Sequence, residues 1–135
     1  MNGHNYRKFR LSDKFISQYE DKEVPWGPVG YVTYKRTYAR LLSERDPDAV
    51  GTEEWFQTCR RVIEGMFDMQ KRHVSELGLE WIDSKSQKTA KDAYDRLFNL
   101  KWTPPGRGLW MMGTKFVEER TAAGLFNCAF RSTKD

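Results

Sequence analysis

The stretch KWTPPGRGLWMMGTKFVEERTAAGLFNCAF, Lys101 to Phe130, decides how the rest of the chain is read, because a helical pattern stops just where it begins. Thr103 to Gly108 predicts a tight loop in which two prolines remove backbone donors while Gly106 and Gly108 permit close approach to a ligand. Leu109 to Met112 predicts at most a short strand, and Gly113 a turn. After Gly124, the apolar run Leu125-Phe126-Asn127-Cys128-Ala129-Phe130 predicts a buried strand carrying one thiol and one amide. Such a strand needs neighbours on both sides, and this sequence offers at most one, so its sheet is missing. The expected fold class is therefore α+β and mainly α, with a helical region over residues 1–100 and a change of character over 101–135.

Working outward, residues 85–99 bring Ala90, Ala93, Tyr94, Leu97 and Phe98 to one face of a helix. Upstream of Gly78, Thr52 is placed to cap a long helix with Glu53 and Glu54 in its first turn, where acidic groups complement the helix dipole. Trp55, Cys59, Val62, Ile63 and Met66 line one face of that helix, and Cys59 on such a stripe reads as a packing residue. Arg60, Arg61, Lys71, Arg72 and His73 read as solvated charge, because acidic residues lie among them. His73 has no second ligand at a recurring spacing, so no metal site is expected. Residues 30–40, GYVTYKRTYAR, are expected to start extended and become helical. Tyr31, Tyr34 and Tyr38 would then pack inward, with Arg36 and Arg40 in water or against a phosphate or partner. Trp26-Gly27-Pro28 predicts a rigid turn, and Ser12 a cap for a short helix through Tyr19 that buries Phe15, Ile16 and Tyr19. Residues 1–10 read as a frayed arm that gains order only by docking.

Composition narrows the function classes. A chain of 135 residues with 39% hydrophobic and 14% aromatic content has the material for one core. Its net charge of +4 comes from 23 basic residues interspersed with 19 acidic ones, which is a weak nucleic-acid signal. Cys59 and Cys128 form neither a disulfide framework nor a zinc pattern, which fits a reducing cytoplasm. No apolar run approaches the ~18 residues of a membrane span, and the opening residues lack an apolar signal core.

Taken in order, WGPVGYVTYKRTYAR (Trp26 to Arg40), TPPGRGLWMMGT (Thr103 to Thr114) and LFNCAF (Leu125 to Phe130) resemble the N-terminal part of a known family. It is the adenosylcobalamin-dependent (class II), monomeric type of ribonucleoside-triphosphate reductase, and YKRTYAR is the piece that points to the monomeric type. The resemblance implies a helical N-terminal region leading into the first strand of a ten-stranded α/β barrel, with residues 101–135 as the substrate loop and the start of that barrel. Asn127 and Cys128 match the pair on the first barrel strand. By that match Cys128 is one of two cysteines that reduce the ribose 2′ position and end as a disulfide, its partner lying downstream. Thr103 matches a threonine that contacts the substrate's phosphates, Gly106, Arg107 and Gly108 match the rest of that loop, and Asn127 belongs with the substrate contacts. The implied partners are a ribonucleoside triphosphate, a thioredoxin-like dithiol and the remainder of the reductase chain, with adenosylcobalamin held outside these residues. The family's radical-forming cysteine, its glutamate and the C-terminal cysteine pair have no counterpart here. The resemblance thus implies an N-terminal piece: a truncated product, one half of a split enzyme, or a segment ahead of an intron or intein.

The competing reading is a stand-alone basic helical module that binds nucleic acid or a protein through Arg36, Arg40, Arg60 and Arg61. Against it, the basic residues are not segregated to one face and no reader motif is present.

Overall fold

The computed structural model of the chain describes residues 6–114, so the strand expected over 125–130, with Asn127 and Cys128, lies outside the described residues. In chain order the elements are α1 (Asp13–Ser17), α2 (Pro28–Thr37), a 3-10 turn (Leu42–Glu44), α3 (Trp55–Glu76), α4 (Asp83–Phe98) and α5 (Gly106–Met111). Among the described residues extended pairing is limited to one isolated antiparallel bridge, Leu41 with Thr52. The described part is therefore helical, and the barrel implied by the resemblance is not part of it.

The packing of α3 on α4 follows the apolar periodicity. Cys59, Val62 and Ile63 from α3 and Ala90, Tyr94 and Leu97 from α4 are fully buried, and each large side chain so buried contributes about 1.5–3 kcal/mol. Polar atoms close both ends of the contact. Trp55 Nε1–H donates to the Phe98 carbonyl at 3.0 Å, and Tyr94 O–H to the Phe56 carbonyl at 2.8 Å. α1 begins where Ser12 predicts, its hydroxyl accepting from Phe15 N–H. It delivers Tyr19 against Tyr94 and Phe98, at ring separations of 4.7 and 5.0 Å.

Several local expectations are corrected. Residues from Pro28 onward are helical, not extended: Pro28 occupies the first helical position, where its fixed φ suits the helix and its missing N–H leaves nothing unpaired. Trp26 then stacks on Tyr34 at 5.2 Å and lies 4.9 Å from Trp55, tying α2 to the start of α3. The cap of α3 is Glu54, not Thr52; Glu54 and Gln57 form a capping box, with Glu54 N–H donating to Gln57 Oε1 at 2.8 Å. Thr52 instead pairs with Leu41 and receives the Lys35 ammonium on its hydroxyl at 3.0 Å. Residues 109–111, expected as part of a strand, belong to α5, and Gly106, Arg107 and Gly108, expected in a tight loop, form its first turn.

The N-terminal arm is docked over its described part. Phe9 and Leu11 are buried, Phe9 N–H donates to Asp68 Oδ1 at 2.9 Å, and Leu11 N–H to Glu64 Oε2 at 2.8 Å. The strap thus binds α3 through two carboxylates one helical turn apart.

After α4 the chain reverses sharply. Leu100 adopts φ +59°, its N–H bonds to the Leu97 carbonyl at 3.0 Å and Lys101 N–H to the Arg96 carbonyl at 2.8 Å, which is a Schellman closure. A non-glycine residue there costs about 1–2 kcal/mol, offset by packing of the Leu100 side chain on the core. Trp102 Nε1–H then donates to the Ala93 carbonyl at 3.2 Å and fixes the chain just before Thr103.

Candidate functional site

The segment Thr103 to Gly113 meets the rest of the molecule at three places. At its start, a Cβ on Gly106 would lie 3.2 Å from Tyr38 Oη and 3.3 Å from its ring, so α5 begins in close contact with Tyr38, just past the end of α2, and a larger residue would require that side chain to give way. In the middle, the Arg40 guanidinium lies over the Trp110 ring, 4.8 Å from its centroid. At its end, Gly113 has φ +77° and faces Gly65 of α3; a Cβ on Gly65 would lie 2.5 Å from Gly113 N. Tyr38 and Arg40 at the end of YKRTYAR are thereby brought onto Gly106 and Trp110 of TPPGRGLWMMG, far away in sequence.

Beneath this contact lies a buried polar network. The Arg61 side chain, only 2% exposed, donates from Nε to Glu53 Oε2 at 2.9 Å and from Nη2 to Glu53 Oε1 at 3.1 Å. Its remaining donors reach the carbonyls of Leu109 at 2.6 Å, Trp110 at 3.3 Å and Met112 at 2.7 Å. These belong to the last turn and exit of α5, where carbonyls lack intrahelical partners. Glu53, 3% exposed, also accepts from Arg40 N–H at 2.9 Å and from the Thr58 hydroxyl at 2.9 Å. Tyr34 O–H bonds to Thr58 Oγ1 and to the Glu53 carbonyl at 3.1 Å. Burial, helped by the Glu53 charge and opposed by the Thr58 bond, raises the Tyr34 phenol above its ordinary range, so it remains a donor at any physiological pH. Among the described residues no buried side-chain polar atom lacks a partner.

A second ionic group lies along the same side of α3. Asp68 accepts from Tyr6 O–H at 2.7 Å and from Arg72 Nε at 2.9 Å, besides Phe9 N–H. Burial acts to raise the Asp68 carboxyl, but these three donors outweigh it and hold the group below the ordinary carboxylate range. Arg60 bridges Glu64 at 3.0 Å and Asp13 at 2.8 Å. Between the two groups an open cavity of about 710 Å³ is bounded by Phe9, Leu42, Arg45, Arg61, His73 and Thr114, among others. Among the described residues no three His, Cys, Asp or Glu side chains are placed to hold a metal ion. No described helix is long and apolar enough to cross a membrane.

These positions bear on the expected site residues. Thr103 is exposed, Gly106 lies against Tyr38, and Arg107 is in the first turn of α5. Asn127 and Cys128 lie outside the described residues, and Cys59 is fully buried in the core with its thiol pushed well up by that burial. The expectation of solvated charge fails at Arg61, which is buried, and three of the four arginines of the basic-module reading are paired with acids, Arg40 with Glu44, Arg60 with Glu64 and Asp13, and Arg61 with Glu53, while Arg36 is exposed. Sequence reasoning missed Glu53, Thr58 and Arg61 as one unit. The signal that could have found them is Gly65, a glycine in the middle of a long helix one turn beyond Arg61, which marks close approach by another backbone.

The helical platform, with a Pro-Gly segment clamped across its long helix, is matched over residues 11–114 by the family model described as the ribonucleotide reductase alpha domain. The chain belongs to that family. It is 38% identical over 132 residues to the "Probable adenosylcobalamin-dependent ribonucleoside-triphosphate reductase" of Dictyostelium discoideum, a match covering 96% of this chain and 17% of that relative. The adenosylcobalamin-dependent ribonucleoside-triphosphate reductase of Euglena gracilis is 38% identical over 130 residues, covering 93% of this chain and 17% of the relative. That of Lactobacillus leichmannii is 39% identical over 121 residues, covering 89% and 16%. A crystal structure of a B-12 dependent (class II) ribonucleotide reductase superposes with a TM-score of 0.73 at 32% identity, over 89% of this chain and 16% of that one. The chain therefore spans about one sixth of the length of the proteins it matches.

Proposed function

We propose that this chain is the N-terminal part of an adenosylcobalamin-dependent ribonucleoside-triphosphate reductase, which replaces the ribose 2′-hydroxyl of a ribonucleoside triphosphate by hydrogen. The observation that supports this most is the meeting of the two family motifs, Tyr38 on Gly106 and Arg40 on Trp110, in a chain 38% identical to such a reductase over 96% of its length. In this reading residues 1–100 are the helical region and 101–135 the substrate loop and the start of a ten-stranded barrel. Thr103, Gly106 and Arg107 meet the triphosphate, whose negative charge suits a cation and close backbone approach. Asn127 is a substrate contact, and Cys128 is one of two thiols that supply two electrons and two protons. The 2′-oxygen leaves as water and the thiols become a disulfide, which a thioredoxin-like dithiol reopens by exchange. Adenosylcobalamin, when bound, supplies the radical that opens the chemistry at the 3′ carbon. The described residues do not fit a corrinoid, because most side chains lining the cavity beside α3 are charged, and several of them are paired with one another. The cofactor would be held by the remainder of the enzyme, in the cytoplasm with its dithiol reductant.

The test joins this chain to the remaining sequence of the Lactobacillus leichmannii relative. Reduction of a ribonucleoside triphosphate that depends on adenosylcobalamin and dithiol is expected. Cys128→Ser should limit it to less than one turnover with external dithiol, because serine cannot form the disulfide. Multiple turnover by that variant would refute the assignment of Cys128.

A further inference from the structure

We propose that Arg61, held in place by Glu53, is the positioning residue for the phosphate-contacting segment Thr103 to Gly108; this rests on the reading of that segment given above. A helix of six residues does not hold itself in place, since nucleation is costly and few bonds repay it. The pose of α5, and of the loop that enters it, is therefore imposed from outside. The outside contacts are unequal. Tyr38 on Gly106 and Arg40 over Trp110 are contacts near the surface, and Trp110 is 45% exposed. Arg61 is buried and spreads its donors over three carbonyls of residues 109–112 while both Glu53 oxygens fix the plane of the guanidinium. A planar fork with two partners on one edge can address further acceptors on the other without rotating, which an ammonium cannot do.

Glu53 is itself fixed from three directions, by Arg40 N–H, by Thr58 and, through Thr58, by Tyr34. The chain of contacts thus runs from the end of α2 through the start of α3 to the exit of α5. It determines where the entrance of α5 sits over Tyr38. Substrate recognition by phosphate depends on that placement to within a fraction of an ångström, so loosening the exit should weaken phosphate binding more than it slows the chemical step.

The experiment compares Arg61→Lys with the parent in two settings. In the 135-residue chain, amide exchange at residues 106–112 should accelerate about tenfold or more while residues 90–98 keep their protection. Unchanged exchange at 106–112 overturns the inference whatever the kinetics. In the completed reductase, KM for the ribonucleoside triphosphate should rise about tenfold, with kcat within about threefold and a smaller KM change for the diphosphate. A fall in kcat with KM unchanged would mean that Arg61 serves stability alone and would also overturn it. If Arg61→Lys does not fold, Glu53→Gln, which keeps the arginine and one acceptor oxygen, should show the same pattern at about threefold. Thr103→Val separates the two readings. If it leaves KM for the triphosphate unchanged, the phosphate-loop reading fails; if it raises KM while Arg61→Lys does not, only the present inference fails.

Discussion

Gly65→Ala sets two physical effects against each other in the middle of α3. Helix propensity favours the substitution, since alanine in a helix interior is better than glycine by about 0.8–1.0 kcal/mol. Packing opposes it. The added Cβ would lie 2.5 Å from Gly113 N, 2.7 Å from Gly113 Cα and 3.0 Å from Met112 Cγ. Two of these three atoms are backbone and have no rotamer to change, so the exit of α5 must move. Overpacking of this kind costs about 1–3 kcal/mol. The movement also draws the Met112 carbonyl away from Arg61 Nη1, now 2.7 Å distant, and a hydrogen bond to a charged group contributes about 1.5–3 kcal/mol. Packing wins, and the net loss should be about 2–4 kcal/mol. At about 4 °C per kcal/mol for a chain of this size, the melting midpoint followed by far-ultraviolet dichroism should fall by about 8–16 °C. An unchanged or raised midpoint would refute the close approach of Gly65 to Gly113.

Three further outcomes follow from the same contacts. Thr58→Val keeps the shape but removes the hydroxyl shared by Tyr34 and Glu53, and should lower urea stability by about 1–3 kcal/mol. Asp68 has a folded-state carboxyl below its ordinary range, so the unfolded chain binds more protons and stability rises with pH. The stability gap between the parent and Asp68→Asn should be constant above about pH 5 and shrink as pH falls through the unfolded value near 4 toward the lower folded one; a gap independent of pH would show that the Tyr6, Arg72 and Phe9 donors do not stabilise the charge. Cys59 is fully buried with its thiol pushed up, so iodoacetamide should modify it only at the rate of unfolding, and Cys59→Ala should cost about 1–2 kcal/mol.

Much of the helical frame was legible because each element carries its own signal. Ser12 caps α1, the 3–4 spacing of Trp55, Cys59, Val62 and Ile63 marks the apolar face of α3, and Ala90, Tyr94, Leu97 and Phe98 mark that of α4. What was not legible depends on partners remote in sequence. Pro28 reads equally as a turn or as a first helical residue, and only stacking of Trp26 and Tyr34 on Trp55 decides for the helix. Leu109 to Met112 has the composition of a strand, but among the described residues it has no strand to pair with, and the carbonyls of Leu109, Trp110 and Met112 turn to Arg61 instead. At the site, Thr103 and Gly106 were singled out and their surroundings were not. The residues that hold that segment are charged, and charge on a helix ordinarily signals solvent.

That exception explains the design of α3. Its apolar stripe faces α4, as for any amphipathic helix, yet the opposite side is also covered. Arg61, Glu64 and Asp68, at i, i+3 and i+7, form a second stripe that is polar and buried, and Gly65 lies within it. The charged groups there receive two pieces of chain: Arg61 the exit of α5, Glu64 and Asp68 the N-terminal strap. An apolar stripe would bind those segments with no fixed register, because apolar contact is non-directional. Hydrogen bonds from a guanidinium to three carbonyls, and from two backbone N–H groups to two carboxylates, admit one register each. The cost is that every member must stay paired, since a lone charge at such depth is strongly destabilising. A segment proposed to present Thr103 and Gly106 to a ligand in one pose would gain from this trade, whereas the α3–α4 contact has no charged residue among its fully buried positions.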